Sequence, residues 1–200
     1  MFTGIVQGTG RVTMIERREG ALTFELTMGE LAKGVERGAS IAIAGVCLTA
    51  TWISRESVRF DVISETLTKT ALGSMQVGSE YNVERSAKLG DEICGHQVSG
   101  HVSGVVTIRT IETPVNNWIV RFACDPVWML YLLPKGFVVL DGCSLTIVDV
   151  GDDWFTVHLI PETLARTTFG QKTQGDAVHL EIDPMTRAIV DTVKRFTHTV

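Results

Sequence analysis

Two short phrases carry the reactive letters of this chain. Cys47 stands in GVCLT (Gly45–Thr49), and ninety-seven residues later Ser144 stands in GCSLT (Gly142–Thr146). A thiol or hydroxyl at a matched place could add to an electrophilic carbon, activate a nucleophile or bond a polar ring edge. Read alone, Cys47 fits a small buried hydrophobe on a strand equally well. His101, in SGHVSG (Ser99–Gly104), brings an imidazole, the side-chain type suited to proton transfer near neutral pH, and could carry a proton. Its counterpart in TGIVQG (Thr3–Gly8), at an offset of ninety-six, is Ile5, so the fold does not require an imidazole there. The flanking glycines make a turn residue the plainer alternative, and His96, five residues earlier, is a weaker candidate. Asp183 precedes Pro184, the pattern of an N-cap followed by proline at the first helical position.

These residues belong to a repeat. Gly45–Glu84 and Gly142–Glu181 share eleven identities across forty positions at a constant offset, where composition alone gives about two or three. The identities include Gly45/Gly142, Leu48/Leu145, Thr49/Thr146, the two ETL segments (65–67 and 162–164), Gly73/Gly170 and Gly78/Gly175. The chain therefore divides into two homologous domains, 1–96 and 97–184, followed by a tail, 185–200. Each half alternates apolar and polar residues over short runs. SIAIAGVCLTATWI, SVRFDVI and EYNVERSA in the first answer GFVVLDGCSLTIVDV, WFTVHLI and DAVHLEID in the second. This is the pattern of a small all-β Greek-key barrel. The ETL segments, GELAKGVE and DPVWMLYLL read as short helices or turns. In the tail, Ile189, Val193, Phe196 and Val200 recur at 4-3-4 spacing, an apolar stripe on one helix with no counterpart in the repeat.

Composition removes several classes of function. The net charge is −5 over 200 residues with a pI of about 5.5, and no Lys/Arg cluster marks a nucleic-acid binder. No run reaches the ~18 apolar residues of a membrane span, and MFTGIVQGTG lacks the basic and apolar regions of a signal peptide. The cysteines at 47, 94, 124 and 143 form no CxxC pair and no zinc spacing. Reduced thiols in the cytoplasm are the expectation, with no metal.

MFTGIV, GVCLT, GDEICGHQVSGH, KGFVVLDGCSLT and HLIPETLARTTFG, in this order over residues 1–196, resemble the riboflavin synthase family. The resemblance implies two six-stranded Greek-key barrels in tandem and a C-terminal helix that joins a homotrimer. It implies a dismutation of two 6,7-dimethyl-8-ribityllumazine molecules, bound as a pair in each site. One gives four carbons to the other, yielding riboflavin and 5-amino-6-ribitylaminouracil with no metal or organic cofactor. It also admits association with lumazine synthase. Two binding sites for two copies of one reactant should agree where they bind and differ where they act. Cys47 against Ser144, Ile5 against His101 and Ser86 against Asp183 are such differences.

By the same resemblance, Cys47, His101, Ser144 and Asp183 are the catalytic candidates. Phe2, Gly4, Ser40, Val46, Thr49, Thr66, Gly100, Lys135, Thr146, Ile160 and Thr163 are the substrate-binding ones. Lys135 is expected at the pocket mouth, and Phe2 is expected to close the pocket beside the N-terminus. The resemblance departs at Val46, where the family often has a second cysteine. A rival class shares the plan: lumazine proteins and yellow fluorescent proteins hold one lumazine or flavin as an antenna, and tend to lose the second-half site and the tail helix. SGHVSG, GCSLT, IPETL and IDP are intact here, which favours the enzyme.

Overall fold

The computed structural model describes residues 1–115 and 117–197. Its first half contains β1 (Gly8–Arg18), β2 (Ala21–Thr27), β3 (Ser40–Ile43), β4 (Val46–Ile53), β5 (Ser57–Ile63), helix α1 (Ser64–Lys69) and β6 (Glu80–Arg85). Its second half contains β7 (Gly104–Glu112), β8 (Trp118–Ala123), α2 (Pro126–Met129), β9 (Phe137–Leu140), β10 (Cys143–Val150), β11 (Trp154–Leu159), α3 (Pro161–Arg166) and β12 (Ala177–Ile182). A last helix, α4, runs over Pro184–Thr197. The strands close into two antiparallel barrels, in the order β1-β2-β5-β4-β3-β6 and, for the second, β7-β8-β11-β10-β9-β12. The two orders are one Greek key written twice.

Alternation places the core. In β2, Leu22, Phe24 and Leu26 point inward while their neighbours stay half-exposed. Phe24 pairs across the ladder with Phe60, and Phe122 with Phe155, each ring pair 5.3 Å apart and fully buried. Burying each ring contributes roughly 1.5–3 kcal/mol. One barrel thus reproduces the other's centre.

The barrels meet back to back at the β3–β4 and β9–β10 hairpins. Their two-residue loops, Ala44-Gly45 and Asp141-Gly142, take left-handed angles at all four positions, as a type I′ hairpin turn demands. The loops abut so closely that a Cβ on Gly45 would lie 2.6 Å from the Gly142 nitrogen. Matched polar side chains tie the joint. Asn82 Nδ2 donates to Asp141 O at 2.9 Å and its Oδ1 accepts from Thr168 N at 2.8 Å. Its second-half counterpart, His179, donates from Nδ1 to Ala44 O and accepts from Ala71 N at Nε2, both at 2.8 Å.

Asp183 caps α4, its Oδ2 accepting from Thr186 N at 2.8 Å and Thr186 Oγ1 at 2.7 Å. Ile189, Val193 and Phe196 lie exposed on that helix (60%, 56% and 73%) and join neither barrel core among the described residues. The stripe's last member, Val200, lies outside the described residues.

Candidate functional site

Two clefts of matching construction flank the joint. The first, about 390 Å³, is lined by Val46 and Cys47 of β4, by Glu65, Thr66, Lys69 and Thr70 of the α1 segment, and by Gly100, His101 and Val102. The second, about 290 Å³, is lined by Cys143 and Ser144 of β10, by Ile160, Glu162, Thr163, Arg166 and Thr167 around α3, and by Gly4, Ile5 and Val6. Apart from Ile160, every residue of one cleft is the repeat partner of a residue in the other.

The third group in each cleft comes from the opposite half. Thr3-Gly4-Ile5 precedes β1 of the first barrel yet lies on β10 of the second, where Gly4 O accepts from Ser144 N at 2.8 Å. Ser99-Gly100-His101 precedes β7 of the second barrel yet lies on β4 of the first, where Gly100 O accepts from Cys47 N at 2.9 Å. The crossing segments pair where they pass, Phe2 with Val98, through two backbone bonds of 2.8 and 3.0 Å. Both turns need glycine. Gly4 (φ 75°) and Gly100 (φ 80°) are left-handed, and a Cβ on either would lie 2.6 Å from the Cβ of Ser144 or Cys47.

Each turn is anchored by one buried carboxylate. Glu84 of β6 accepts from Thr3 N (2.6 Å), Thr3 Oγ1 (2.8 Å) and Gly4 N (3.0 Å). Glu181 of β12 accepts from Ser99 N (2.8 Å), Ser99 Oγ (2.7 Å) and Gly100 N (3.0 Å). Burial pushes both carboxyls above the usual range, and the hydrogen bonds from the turns pull them back.

The clefts differ where chemistry could differ. The first offers the Cys47 thiol, half-buried, and the exposed His101 imidazole. The second offers the Ser144 hydroxyl, 2.7 Å from Nδ1 of His96. The His96 ring is buried, stacks on Phe137 at 4.9 Å and 13°, and has no hydrogen-bond partner at Nε2 among the described residues. Burial holds that imidazole below its ordinary value and the Asp183 charge partly offsets this, so His96 rests neutral. A neutral imidazole beside a hydroxyl can hold it or accept its proton. Cys143 is a different case: burial pushes its thiol up to about 12, which leaves it protonated and inert.

Of the residues singled out from sequence, Cys47, Val46, Thr66, Gly100 and His101 meet in the first cleft, and Ser144, Gly4, Ile160 and Thr163 in the second. His101 also faces a groove running to Arg187 and Asp191 of α4. Phe2 is fully buried between the barrels with Ala42, Val98 and Val139, packed against Cys47 beneath the first cleft. Asp183 lies at the start of α4 and reaches the second cleft through its charge on His96. Ser40 faces Thr49 across β3 and β4, Thr146 faces Phe137 across β10 and β9, and Lys135 stands exposed in a left-handed turn before β9. These four line neither cleft within one chain.

Sequence reading missed Glu84 and Glu181, although that pair is one of the eleven identities. It also missed the Glu65–Lys69 and Glu162–Arg166 ion pairs at the rims, whose four-residue spacing on short helices was visible.

Comparison with known proteins bears on these clefts. The lumazine binding domain family matches twice, over residues 3–86 and 99–183. The riboflavin synthase of Escherichia coli (strain K12) is 47% identical over 197 residues, spanning 98% of this chain and 92% of that one. The riboflavin synthase of Chlamydia muridarum is 44% identical over 196 residues, spanning 98% and 96%. Among solved structures, LumP complexed with 6,7-dimethyl-8-(1'-D-ribityl) lumazine superposes with a TM-score of 0.82 at 25% identity, covering 90% of this chain and 98% of that one. LumP complexed with riboflavin gives 0.84 at 25% identity, covering 92% and 100%.

Proposed function

The chain belongs to the riboflavin synthase family, and from that premise we propose how its two clefts divide the reaction. The chain is a transferase that moves a four-carbon unit between two molecules of 6,7-dimethyl-8-ribityllumazine. The products are riboflavin and 5-amino-6-ribitylaminouracil, whose atoms together equal those of two lumazines. No oxidant or reductant is therefore needed.

One observation carries the division of labour: the two clefts are built from paired positions, and the pairs that exchange a group able to react in an open cleft are Cys47/Ser144 and His101/Ile5. Lys69/Arg166 keeps its charge, and Val46/Cys143 sets a valine against a buried thiol. The matched groups, Thr66 and Thr163, Val46 and Cys143, Gly100 and Gly4, bind the common reactant. His101 moves a proton in the first cleft. In the second, Ser144, held by His96, places its hydroxyl on the ring, and Asp183 keeps His96 oriented by charge. Cys47 lies against the ring of the first lumazine. Holding two reactants in register supplies much of the rate, because oriented pairs reach large effective molarities.

Within one chain the clefts are separate, so we assign the reacting pair to a homotrimer. There the first cleft of one subunit faces the second cleft of its neighbour, and the exposed face of α4 joins the subunits. In that arrangement Lys135, Ser40, Thr49 and Thr146 complete the site across the interface. The lumazine-binding barrels are then 1–96 and 97–184, each lending its glycine turn to the cleft of the other, with 185–200 as the trimerisation helix.

Among the described residues no group of three or more His, Cys, Asp or Glu could hold a metal, and no helix is long and apolar enough to cross a membrane. We place the enzyme in the cytoplasm, acting without a cofactor. The antenna function of the lumazine proteins is disfavoured because both clefts keep their full lining. Mixing the protein with 6,7-dimethyl-8-ribityllumazine tests the assignment. Two lumazines consumed per riboflavin formed supports it, and tight binding of unchanged lumazine overturns it. Co-sedimentation with lumazine synthase tests that partner separately.

A further inference from the structure

We infer that Glu181 is a positioning residue for the first cleft, setting where His101 and the Cys47 edge of β4 stand. The inference rests on the reading of that cleft as a reacting site. Glu181 has three donors on two oxygens: Ser99 N and Ser99 Oγ on Oε1, and Gly100 N on Oε2. The chain of contacts continues outward in two directions. Ser99 Oγ accepts from His101 N at 3.2 Å, and Gly100 O accepts from Cys47 N at 2.9 Å. One carboxylate of the second barrel thereby fixes both reactive groups of the first cleft. None of the three donors comes from the first barrel, so the contact does not simply join strands of that barrel.

The repeat supplies an internal control. Glu84 makes the same three contacts to Thr3 and Gly4, Ile5 N donates to Thr3 Oγ1 at 3.3 Å, and Gly4 O accepts from Ser144 N. Its turn ends in Ile5, which moves no proton. The two carboxylates are equal as structural anchors and unequal in what they position. A glutamine at either place keeps an acceptor for Oε1's two donors but turns an N–H₂ toward the glycine N–H. The turn is loosened on one side while the cost of burying a charge is removed, so global stability changes little.

The groups around His101 are Cys47 from β4, Glu65 and Lys69 from α1, Arg187 and Asp191 from α4, and Glu181 itself. Of these, Glu181 alone anchors the turn that carries the imidazole. A double-mutant cycle can therefore isolate its action through His101.

The experiment uses the full chain with Glu181→Gln, Glu84→Gln, His101→Ile and the two double variants. Glu181→Gln is expected to lower kcat about tenfold with KM within about twofold, and to lower kcat by only about threefold when His101 is already Ile, the remainder running through the Cys47 edge. Glu84→Gln should combine with His101→Ile additively. A second readout needs no turnover. Iodoacetamide alkylation, followed by peptide mapping, should modify Cys47 about threefold or more faster in Glu181→Gln than in the wild type or Glu84→Gln. Exposed Cys94 serves as the reference thiol. Additive loss of kcat with His101→Ile, or equal Cys47 alkylation in the two glutamine variants, would overturn the inference. Full turnover in His101→Ile would instead overturn the catalytic reading of the first cleft, and the alkylation comparison would still decide the role of Glu181.

Discussion

Replacing His96 by Phe separates catalysis from stability at the second cleft. The flat ring on Phe137 is retained, while the 2.7 Å bond to Ser144 and the orphaned Nε2 are both removed. The lost hydrogen bond is worth about 1 kcal/mol, and the unsatisfied buried nitrogen costs about 1–3 kcal/mol in the wild type. The Ser144 hydroxyl lines the cleft and can turn to water. The net effect runs from about zero to about 2 kcal/mol of added stability. For a chain of this length that raises Tm by at most about 8 °C. Turnover should fall about tenfold or more, because the Ser144 hydroxyl loses the bond that holds it on the ring and about 1.4 kcal/mol of lost positioning is tenfold in rate. The pH dependence has a definite sign. Burial lowers the folded-state value of His96 below the unfolded 6.5, so the unfolded chain takes the proton first as pH falls. The wild type therefore has its full His96 contribution above pH 6.5 and loses it as pH falls through 6.5 toward the depressed value. The Phe variant has no such loss, and its Tm advantage should widen over that window. Thermal unfolding at several pH values and steady-state rates would check both halves. A variant more than about 4 °C less stable at pH 8, or one turning over within threefold of the wild type, would refute the reasoning.

Cys47→Ser should lower kcat at least about tenfold more than Cys143→Ser does at similar KM, because the Cys143 thiol is held protonated by burial while Cys47 faces the first cleft. Steady-state kinetics of both variants checks it. Ending the chain at Met185 removes Ile189, Val193 and Phe196, and should give subunits that bind ligand yet show activity rising with protein concentration, read by sedimentation and a dilution series. Gly45→Ala should lose at least about 2 kcal/mol more than Gly78→Ala. Both are left-handed, but a Cβ at Gly45 meets the Gly142 backbone at 2.6 Å and one at Gly78 meets nothing within 4 Å. Urea unfolding of the pair decides it, equal losses counting against the hairpin joint.

The double barrel was legible because the repeat concentrates its identities at positions the backbone dictates. Gly45 and Gly142 are the second residues of the type I′ loops, and Gly78 and Gly175 are left-handed as well. Alternation marked the runs that hold Phe60 and Phe155, whereas their ring partners Phe24 and Phe122 lie on β2 and β8, two strands the sequence reading did not single out. The carboxylate anchors did not, for a physical reason. In β6 the residues Asn82, Val83 and Glu84 are all buried in succession, which breaks the period of two. Val83 faces the barrel interior, while Asn82 and Glu84 are covered from outside by the other barrel and by the N-terminal turn. No pattern within one half announces a surface that only the second half can cover. His96 was underrated for a related reason: its meaning lies in Ser144, forty-eight positions away along the chain. The stripe on α4 was legible as a pattern, and Ile189, Val193 and Phe196 are exposed in the single chain.

The crossing of the two turns explains why one chain carries both barrels. Each cleft takes its strand and helix from one half and its glycine turn from the other, so neither half alone contains a complete lining. Joining the halves in one chain brings both turns to their clefts without a bimolecular search, and the back-to-back glycine hairpins fix the distance over which they must reach. It also lets the copies diverge. Once each cleft depends on a turn encoded ninety-six residues from its twin, a histidine can appear at 101 without appearing at 5. A dimer of identical barrels would be bound to change both sites together. A reaction in which one of two identical molecules gives and the other receives needs two sites that bind alike and act differently, and the tandem chain makes that difference heritable residue by residue.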